Sequence, residues 1–417
     1  MEEWKEYKLG ELITLNSGGT PDKNNKSYWD GEIPWISAKF MYDDYLYSSE
    51  LKISQDGLTS GSRLAPKGCI LLLTRGSGLF NRIPVCYTMR DLAYNQDVKC
   101  IESKNKELVS TEYLFYWLMG NKDSISAILE TTGIGAGKID TNRLKNIRIS
   151  LPPKEYQQIL IGFAESIMHK IEVNRRINEN LEQQAQALFK SWFVDFEPFK
   201  NQPFVESELG MIPQGWRVQE AQEVFSINIG KTPPRKESEW FSESNEDNVW
   251  VSIADMGSCG TFISDSSEYL TDEAVKCFNI QMVEKDSILL SFKLTVGRVA
   301  IADTRLTTNE AIARFILPKK FYREFLYLYL KQYKYGNLGS TSSIATAVNS
   351  KTIKGMRLLI PNVELIESFS KNTRPLFEQI RTIQQESRRL AELRDTLLPR
   401  LMSGELHVND MLLSEKR

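Results

Sequence analysis

Asn16-Ser17-Gly18-Gly19-Thr20-Pro21 recurs later in the chain as Asn228-Ile229-Gly230-Lys231-Thr232-Pro233. The interval from Thr20 to Thr232 is 212 residues, and Trp4 and Trp216 are separated by the same interval. Self-similarity at a fixed interval is the signature of a duplicated architecture. The sequence therefore predicts two copies of one globular domain.

The matches extend outward from this stretch. Pro34-Trp35-Ile36-Ser37-Ala38 corresponds to Val249-Trp250-Val251-Ser252-Ile253 at a slightly larger interval, which predicts a short insertion in the second copy. Short apolar strands separated by Gly/Asn/Asp-rich turns alternate with helical patterns at 107–118 and 322–333. Each copy is therefore predicted to be a mixed α/β domain, and the whole chain belongs to the α+β class.

A long helical pattern follows each copy, with apolar side chains at intervals of seven residues. The positions in the first pattern are Ile167, Ile171, Leu181, Leu188 and Trp192, and those in the second are Leu376, Ile380, Ile383, Leu390 and Leu397. Matched heptads predict a coiled coil, and the chain reversal between the two helices favours antiparallel pairing. Asn174 and Asn178 lie near the seam, where a buried Asn fixes register. The alternative is that each helix packs on its own domain.

Composition excludes several classes of protein. The chain has 52 Lys and Arg against 54 Asp and Glu, a net charge of −2, so any DNA-binding groups must be local or supplemented by a partner. No run of apolar residues is long enough for a membrane span, and no secretion signal is expected at the start. The five cysteines form no C-x-x-C pair, which favours reduced cytoplasmic thiols and no metal site. Two histidines, His169 and His407, are expected to be solvated helix residues.

Catalytic motifs are missing as well. Leu151-Pro152-Pro153-Lys154 and Thr232-Pro233-Pro234-Arg235 lack the acid or amide and the aromatic ring of an adenine methyltransferase motif. The Gly-rich segment 132–139 has Thr132 and Ile139 where a Walker loop needs Gly and Ser or Thr. We therefore expect no catalysis by the chain itself, and a self-contained nuclease-methyltransferase is disfavoured.

These blocks together resemble a known family. Gly18-Gly19-Thr20-Pro21, Tyr28-Trp29 and Ile33-Pro34-Trp35-Ile36-Ser37 resemble the opening of a target recognition domain of type I restriction-modification specificity (S) subunits. The blocks at 170–193 and 393–404 are similar to the central and distal conserved helices of that family. In the second copy Gly19 is replaced by Lys231, and Tyr28-Trp29 has no clear counterpart beyond Glu239-Trp240.

The resemblance implies a non-catalytic specificity subunit. Each recognition domain would read one half of a split site in double-stranded DNA, and the helices would bind two methyltransferase subunits, with restriction subunits in the full complex. S-adenosylmethionine, ATP and Mg are expected in the partner subunits and no cofactor in this chain. A helix of about 57 Å would limit the half-site centres to a separation of about 17 base pairs. The alternative is a duplicated coiled-coil scaffold that joins protein partners without binding DNA.

The predicted organisation is two recognition domains in a pseudo-twofold arrangement, separated by two long antiparallel coiled-coil helices. The boundaries are 1–153 for recognition domain 1, 154–197 for spacer helix 1, 198–213 for a linker, 214–361 for recognition domain 2, 362–403 for spacer helix 2 and 404–417 for a tail. The linker is placed at 198–213 because Pro and Gly interrupt the helical pattern there.

Candidate DNA contacts fall in the Gly-Thr-Pro turn, the Trp-x-Ser strand end, polar turns and a basic stretch before each long helix. They are Ser17, Gly19, Thr20, Ser37, Lys39, Arg75, Asn95, Gln96, Lys138, Arg143 and Lys145 in the first copy, and Lys231, Thr232, Arg235, Ser252, Lys293, Arg298, Asn309, Lys351 and Lys354 in the second. The basic stretches contain few acids: Asp140 is the only local acid for Lys138, Arg143, Lys145 and Arg148, and no acid lies shortly upstream of Lys351, Lys354 and Arg357. The alternatives are an ordinary packed turn and a solvated loop.

Overall fold

The computed structural model of the chain describes residues 4–133, 135–338 and 348–408, which form two compact units. Among the described residues, unit 1 contains those up to residue 171 and those from residue 389 onward, and unit 2 contains those from 172 to 388. The division falls inside both long helices, so each unit holds one globular domain, the beginning of the helix that follows it and the end of the other helix. Ile134 and the predicted tail beyond residue 408 lie outside the described residues.

The globular part before the first long helix is called domain 1. Its strands are β1 (Lys5–Lys8), β2 (Ile13–Ser17), β3 (Ile33–Ile36), β4 (Tyr45–Leu46), β5 (Lys52–Ile53), β6 (Arg63–Ala65), β7 (Ile70–Leu73), β8 (Arg75–Gly76), β9 (Val85–Thr88), β10 (Leu92–Tyr94), β11 (Val98–Ser103), β12 (Leu129–Thr131), β13 (Gly137–Ile139) and β14 (Arg148–Leu151). Its helices are α1 (Leu9–Leu12), α2 (Gln55–Gly61), α3 (Thr111–Gly120), α4 (Lys122–Ser126) and α5 (Thr141–Lys145), and the long helix α6 (Lys154–Phe193) follows.

The part between the two long helices is called domain 2. Its strands are β15 (Phe204–Ser207), β16 (Gly210–Pro213), β17 (Arg217–Glu220), β18 (Ser226–Ile229), β19 (Phe241–Ser242), β20 (Asn248–Val251), β21 (Phe262–Ile263), β22 (Tyr269–Leu270), β23 (Ile288–Ser291), β24 (Val299–Ala302), β25 (Thr307–Thr308), β26 (Ile312–Ile316) and β27 (Arg357–Ile360). Its helices are α7 (Ala221–Val224), α8 (Asp272–Cys277), α9 (Tyr322–Gln332) and α10 (Ser350–Lys354), and the second long helix is α11 (Val363–Ser403).

The two domains share one sheet topology, which confirms the duplication. A five-stranded sheet has the order β2-β11-β7-β9-β4 in domain 1 and β18-β26-β23-β24-β21 in domain 2. A four-stranded sheet accompanies it in each domain, with β3 and β10 paired in parallel in one and β20 and β25 in the other. The centre of the five-stranded sheet is the apolar run β7 or β23, which is buried on both faces as an uninterrupted run of this kind requires.

The long helices contribute to the core of each unit. In unit 1, Leu160 and Ala164 of α6 and Leu398 and Leu401 of α11 are buried in the same cluster as the sheet. In unit 2 the two helices run antiparallel, because Asn174 contacts Glu386 while Phe189, farther along α6, contacts Phe369 near the start of α11. The predicted antiparallel pairing is confirmed within that unit.

The buried face of α6 departs from the predicted heptad. Leu181 is buried as predicted, but the next buried positions are Ala185, Phe189 and Phe193, at intervals of four, while Leu188 is 36% exposed. This interval carries the apolar face toward domain 2, where the Phe193 ring lies 5.0 Å from that of Phe325. The prediction that Leu188 lies in the seam is therefore wrong. Ile167 and Ile380 are buried, and Ile171, Trp192, Leu376, Ile383, Leu390 and Leu397 are partly buried.

Trp4 and Trp216, which are equivalent in the repeat, each pack at the end of a long helix. In unit 2 the rings of Phe193, Phe196 and Phe199, at and after the end of α6, surround Trp216. In unit 1, Trp4 contacts Tyr156 and lies against Gly404, just after the end of α11. None of the described helices combines the length and apolar character that crossing a bilayer requires.

Candidate nucleic-acid interface

Three polar segments of domain 1 meet at one edge of the five-stranded sheet. Strand β2 ends at Ser17 opposite Lys99 at the start of β11, and Val98 of β11 lies opposite Leu73 at the end of β7. Because neighbouring strands are antiparallel, the end of β2, the start of β11 and the end of β7 share this edge. The turn after β2, the Asn95-Gln96 turn and Arg75 are therefore brought together.

The Gly-Thr-Pro turn is held against the backbone of the neighbouring turn. A Cβ at Gly18 would lie 2.1 Å from the carbonyl oxygen of Tyr94, so no larger residue fits. Gly19 donates its amide to the same carbonyl at 2.9 Å, and the Trp35 indole Nε1 donates to the Gly19 carbonyl at 3.1 Å. The turn is packed by Trp35, and this packing fixes the position of Thr20 at the edge of the sheet.

The side chains of this edge form a hydrogen-bonded group. Thr20 Oγ1 donates to Gln96 Oε1 at 2.7 Å, and Lys99 Nζ donates to Ser17 Oγ. Burial lowers the pKa of Lys99, and the charge of Arg75 lowers it further while Asp97 opposes the shift. We call Ser17, Thr20, Arg75, Gln96, Lys99 and Lys138 the polar edge of domain 1, since Lys138 lies directly opposite Arg75 in the pairing of β13 with β8.

Domain 2 builds the same turn from different residues. A Cβ at Gly230 would lie 2.1 Å from the carbonyl oxygen of Asn309. Lys231 donates its amide to the Thr308 carbonyl at 3.0 Å, and the Trp250 indole donates to the Lys231 carbonyl at 3.1 Å. These contacts repeat those of Gly18, Gly19 and Trp35, so the backbone of the edge is conserved between the two halves of the chain.

The side chains at this second edge differ in charge from those at the polar edge of domain 1. We call Thr232, Arg235, Lys293 and Glu310 the polar edge of domain 2. The Thr232 hydroxyl donates to the Glu310 carboxylate. Partial burial raises the pKa of Glu310, but the Thr232 hydrogen bond and the charges of Lys293 and Arg235 outweigh it and leave the pKa below its usual value. Arg235 lies 4.5 Å over the rings of both Phe241 and Trp250 and binds Glu268 through two hydrogen bonds.

Comparison with known proteins identifies the family. A family described as the type I restriction modification DNA specificity domain matches residues 1–183 and 213–386. The chain belongs to this family. Its two matched segments contain the two polar edges and most of α6 and α11, so the resemblance noted from the sequence is confirmed.

Relatives of this specificity family cover nearly the whole chain. The chain is 30% identical over 431 residues to the type I restriction enzyme MjaIX specificity subunit of Methanocaldococcus jannaschii, with 98% of this chain and 95% of that protein covered. It is 26% identical over 469 residues to the HindI specificity subunit of Haemophilus influenzae, with 97% and 100% covered. A crystal structure of the type I restriction-modification S subunit from M. genitalium has the same fold, with a TM-score of 0.51, 15% identity and 96% of each chain covered.

The relatives are named as specificity subunits, so the expectation of a non-catalytic specificity subunit is confirmed at the level of the family. Within this family fold, several predicted contact residues form hydrogen bonds inside their own turns. Asn95 is buried and donates to Asp97 at 3.3 Å, and Asn309 Oδ1 accepts from the Ala311 amide at 3.1 Å. Both side chains stabilise the turn that presents the next residue, Gln96 or Glu310.

Three further predicted contact residues form hydrogen bonds with nearby groups. The Ser252 hydroxyl donates to Asp255, one Arg298 Nη donates to the Ile253 carbonyl at 2.6 Å, and Lys231 Nζ donates to the carbonyls of two residues after α8. Ser37 follows β3 beside Asn95, as the parallel pairing with β10 requires. Lys39 is exposed, with its Nζ 3.8 Å from Glu50.

The predicted basic stretches are neutralised more than the sequence indicated. Arg143 pairs with Glu130 at 3.1 Å, Arg148 with Glu6 at 2.7 Å, and Arg357 with Glu208 at 3.6 Å. These acids are distant in sequence and are brought in by strand pairing and loops, so the stretches are less basic in the folded chain than their local sequence indicates. Lys145 in α5, and Lys351 and Lys354 in α10, lie with α1 or α7 at the opposite end of β2 or β18 from the polar edges.

Lys99 and Glu310 also belong to the candidate site, although the sequence did not predict them as contact residues. The repeat could have indicated Glu310, because Glu310 follows Asn309 in the second copy as Gln96 follows Asn95 in the first. Another grouping not predicted from the sequence is that of Cys69, Cys100 and Glu102, whose thiol and carboxylate atoms lie within 4.8 Å of one another. A hydrogen bond to Cys100 and burial raise the pKa of the Cys69 thiol, and both cysteines are packed in the apolar core of domain 1.

Proposed function

We propose that this chain is the DNA-sequence specificity subunit of a type I restriction-modification complex. Domain 1 reads one half of a bipartite site and domain 2 reads the other. The observation that carries the proposal is the polar edge, which the chain builds twice on the same backbone and occupies with different side chains. A shared scaffold with divergent exposed groups is what recognition of two different half-sites by one duplicated chain requires.

The chemistry of both edges suits DNA. Arg75 and Lys138 in domain 1 and Lys293 in domain 2 supply cations for phosphate contact, which fixes position on the duplex. Gln96 and Glu310 are exposed and carry hydrogen-bonding groups of the kind that read base edges in the major groove. The 52 Lys and Arg of the chain are balanced by 54 Asp and Glu, so we expect partners to supply much of the phosphate contact.

Recruitment of two methyltransferase subunits, and of restriction subunits through them, is assigned to the long helices. Both carry exposed apolar side chains, among them Ile177 and Leu188 on α6 and Leu393 on α11, which a partner surface would cover. S-adenosylmethionine, ATP and Mg belong to those partners in this proposal. The scattered cysteines, free in the described structure, are consistent with action in the cytoplasm.

Mapping of modified bases tests the proposal. The chain is co-expressed with the methyltransferase encoded beside it, and N6-methyladenine is located across the genome of the host. We expect methylation in a split motif with a fixed gap, and none when either protein is expressed alone. Methylation within one continuous motif, or methylation by the purified chain alone, contradicts the proposal.

A further inference from the structure

We infer that Gln96 and Glu310 set the base preference of the two polar edges, Gln96 selecting adenine and Glu310 selecting cytosine. The inference rests on the proposed function and adds the identity of one base in each half-site. It comes from an equivalence between two exposed side chains that occupy one position of the duplicated fold but differ in hydrogen-bonding capacity.

The equivalence is shown by a backbone contact just before the position and by a side-chain contact at it. Asn95 donates its amide to the Ile36 carbonyl at 2.9 Å, and Asn309 donates to the Val251 carbonyl at 3.0 Å. The residue after each Asn accepts a hydrogen bond from the threonine of the Gly-x-Thr-Pro turn. Each threonine restrains the neighbouring side chain, so less conformational entropy is lost when that side chain binds.

The remaining hydrogen-bonding capacity of Gln96 matches adenine. Its Oε1 already accepts from Thr20, and its Nε2 has a long contact of 3.5 Å with Asp97. One acceptor lone pair and at least one N–H are left. In the major groove adenine presents an N6 amino donor next to the N7 acceptor, and a glutamine amide satisfies both.

The capacity of Glu310 matches cytosine. A carboxylate with a lowered pKa is ionised near neutral pH, so it has acceptors only. Cytosine presents its N4 amino donor in the major groove, whereas guanine O6 and N7 and thymine O4 are acceptors that repel a carboxylate. Adenine places the N7 acceptor beside its amino group, which disfavours it as well.

A carboxylate beside DNA is repelled by the phosphates, and cations near Glu310 reduce this repulsion. The positive charges of Lys293 and Arg235 favour the ionised form of the Glu310 carboxylate, and beside DNA they would offset part of its repulsion by phosphates. Arg75 occupies the position of Lys293 in domain 1, since both follow the central strand of their sheet by the same number of residues. Each edge therefore combines one base-reading group with a cation for the phosphate backbone.

Reciprocal exchange of the two side chains tests the inference. Wild-type chain, Glu310→Gln and Gln96→Glu are each co-expressed with the methyltransferase, and methylated motifs are mapped; Glu246→Gln, at an exposed position in domain 2, is the matched control. We expect Glu310→Gln to replace a preferred cytosine by adenine in one half-site, with a change in preference of roughly tenfold or more. Gln96→Glu should make the opposite change in the other half-site, and the control should leave both unchanged.

A binding measurement covers variants that lose methylation. Anisotropy with duplexes carrying the wild-type motif, and each single base-pair substitution of it, shows whether a variant prefers a new base. The inference is overturned if neither variant changes its preferred base, or if both variants alter the same half-site. If the wild-type chain itself directs no split motif, the proposed function fails, and that result is distinct from unchanged preferences in the variants.

Discussion

The guanidinium of Arg381 on α11 lies against the buried carboxylate of Asp303 in domain 2, with Arg381 Nε 3.0 Å from Asp303 Oδ1. The two side chains are only 12% and 4% exposed. Arg381 also contacts Asp286, so one cation on the helix serves two acids of the domain. Domain 2 is therefore joined to α11 by buried charge as well as by apolar packing.

Replacement of this arginine is expected to destabilise unit 2. Arg381→Ala leaves Asp303 with Lys285 and Arg388 but removes its most buried cation, and the loss of one partner from a buried pair costs about 3 kcal/mol. Urea unfolding followed by circular dichroism measures the effect. Arg389→Ala, at an exposed position on the same helix, should change the free energy of unfolding by less than about 0.5 kcal/mol. Equal stability of the two variants would contradict the conclusion that the ion pairs of Arg381 stabilise unit 2.

The same acids predict loss of stability in acid. Burial raises the pKa values of Asp286 and Asp303, but their hydrogen bonds and the charges of Arg381 and neighbouring cations outweigh it and hold both below the ordinary 3.8. A carboxyl whose pKa is lower in the folded state stabilises the protein above its unfolded pKa and loses that contribution as the pH falls through the folded pKa. As the pH is lowered below about 4, we expect the thermal midpoint of the wild-type protein to decrease. The midpoint of Arg381→Ala should decrease less steeply over the same pH range. Parallel curves for the two proteins would show that these acids do not contribute.

The Gly18 turn should not tolerate a methyl group. Gly18→Ala places Cβ within 2.1 Å of the Tyr94 carbonyl oxygen, and relief of such overpacking costs roughly 1–3 kcal/mol. We expect a lower thermal midpoint and weaker selectivity for the half-site read by domain 1, with the other half-site retained. Gly78→Ala is the control, because nothing lies within 4 Å of a Cβ there. A Gly18→Ala protein as stable as the control would refute the close approach.

Charge reversal at the polar edge separates a DNA reader from a scaffold. Arg75→Glu combined with Lys138→Glu should weaken DNA binding by the assembled complex by roughly tenfold or more at physiological salt, and make the salt dependence shallower by about two units of slope. Lys145→Glu, at the opposite end of β2, should have a much smaller effect. Unchanged binding in the double variant, with the complex intact by size-exclusion chromatography, would favour the scaffold.

Features carried by local pattern were predictable from the sequence. The repeat, the long helices and Asn174 at the seam were all recognised, and Asn174 is buried and donates to Glu386 at 2.7 Å. The seam at Leu188 was predicted wrongly, because contacts with domain 2 rather than a strict heptad decide which face of α6 is buried.

Features that depend on pairing between distant segments were not predictable. Nothing near Arg143 or Arg148 in sequence indicates Glu130 or Glu6 as a partner, since strand pairing brings those acids in. The candidate site was predicted as scattered turns. Antiparallel strand order places Thr20, Arg75 and Gln96 at one edge, and it leaves Lys145 at the other end of the sheet. Burial of the Asn95 side chain also emerged only from the fold.

The matched positions of Gln96 and Glu310 bear on how the two domains can diverge. Glutamine and glutamate have the same carbon skeleton, and their codons differ at the first base, so a single nucleotide change exchanges one for the other. Such a change alters no packed atom, because both side chains are exposed and keep their threonine donor. Point mutation at this position therefore lets one half of the duplicated gene acquire a new hydrogen-bonding surface without passing through an unstable protein.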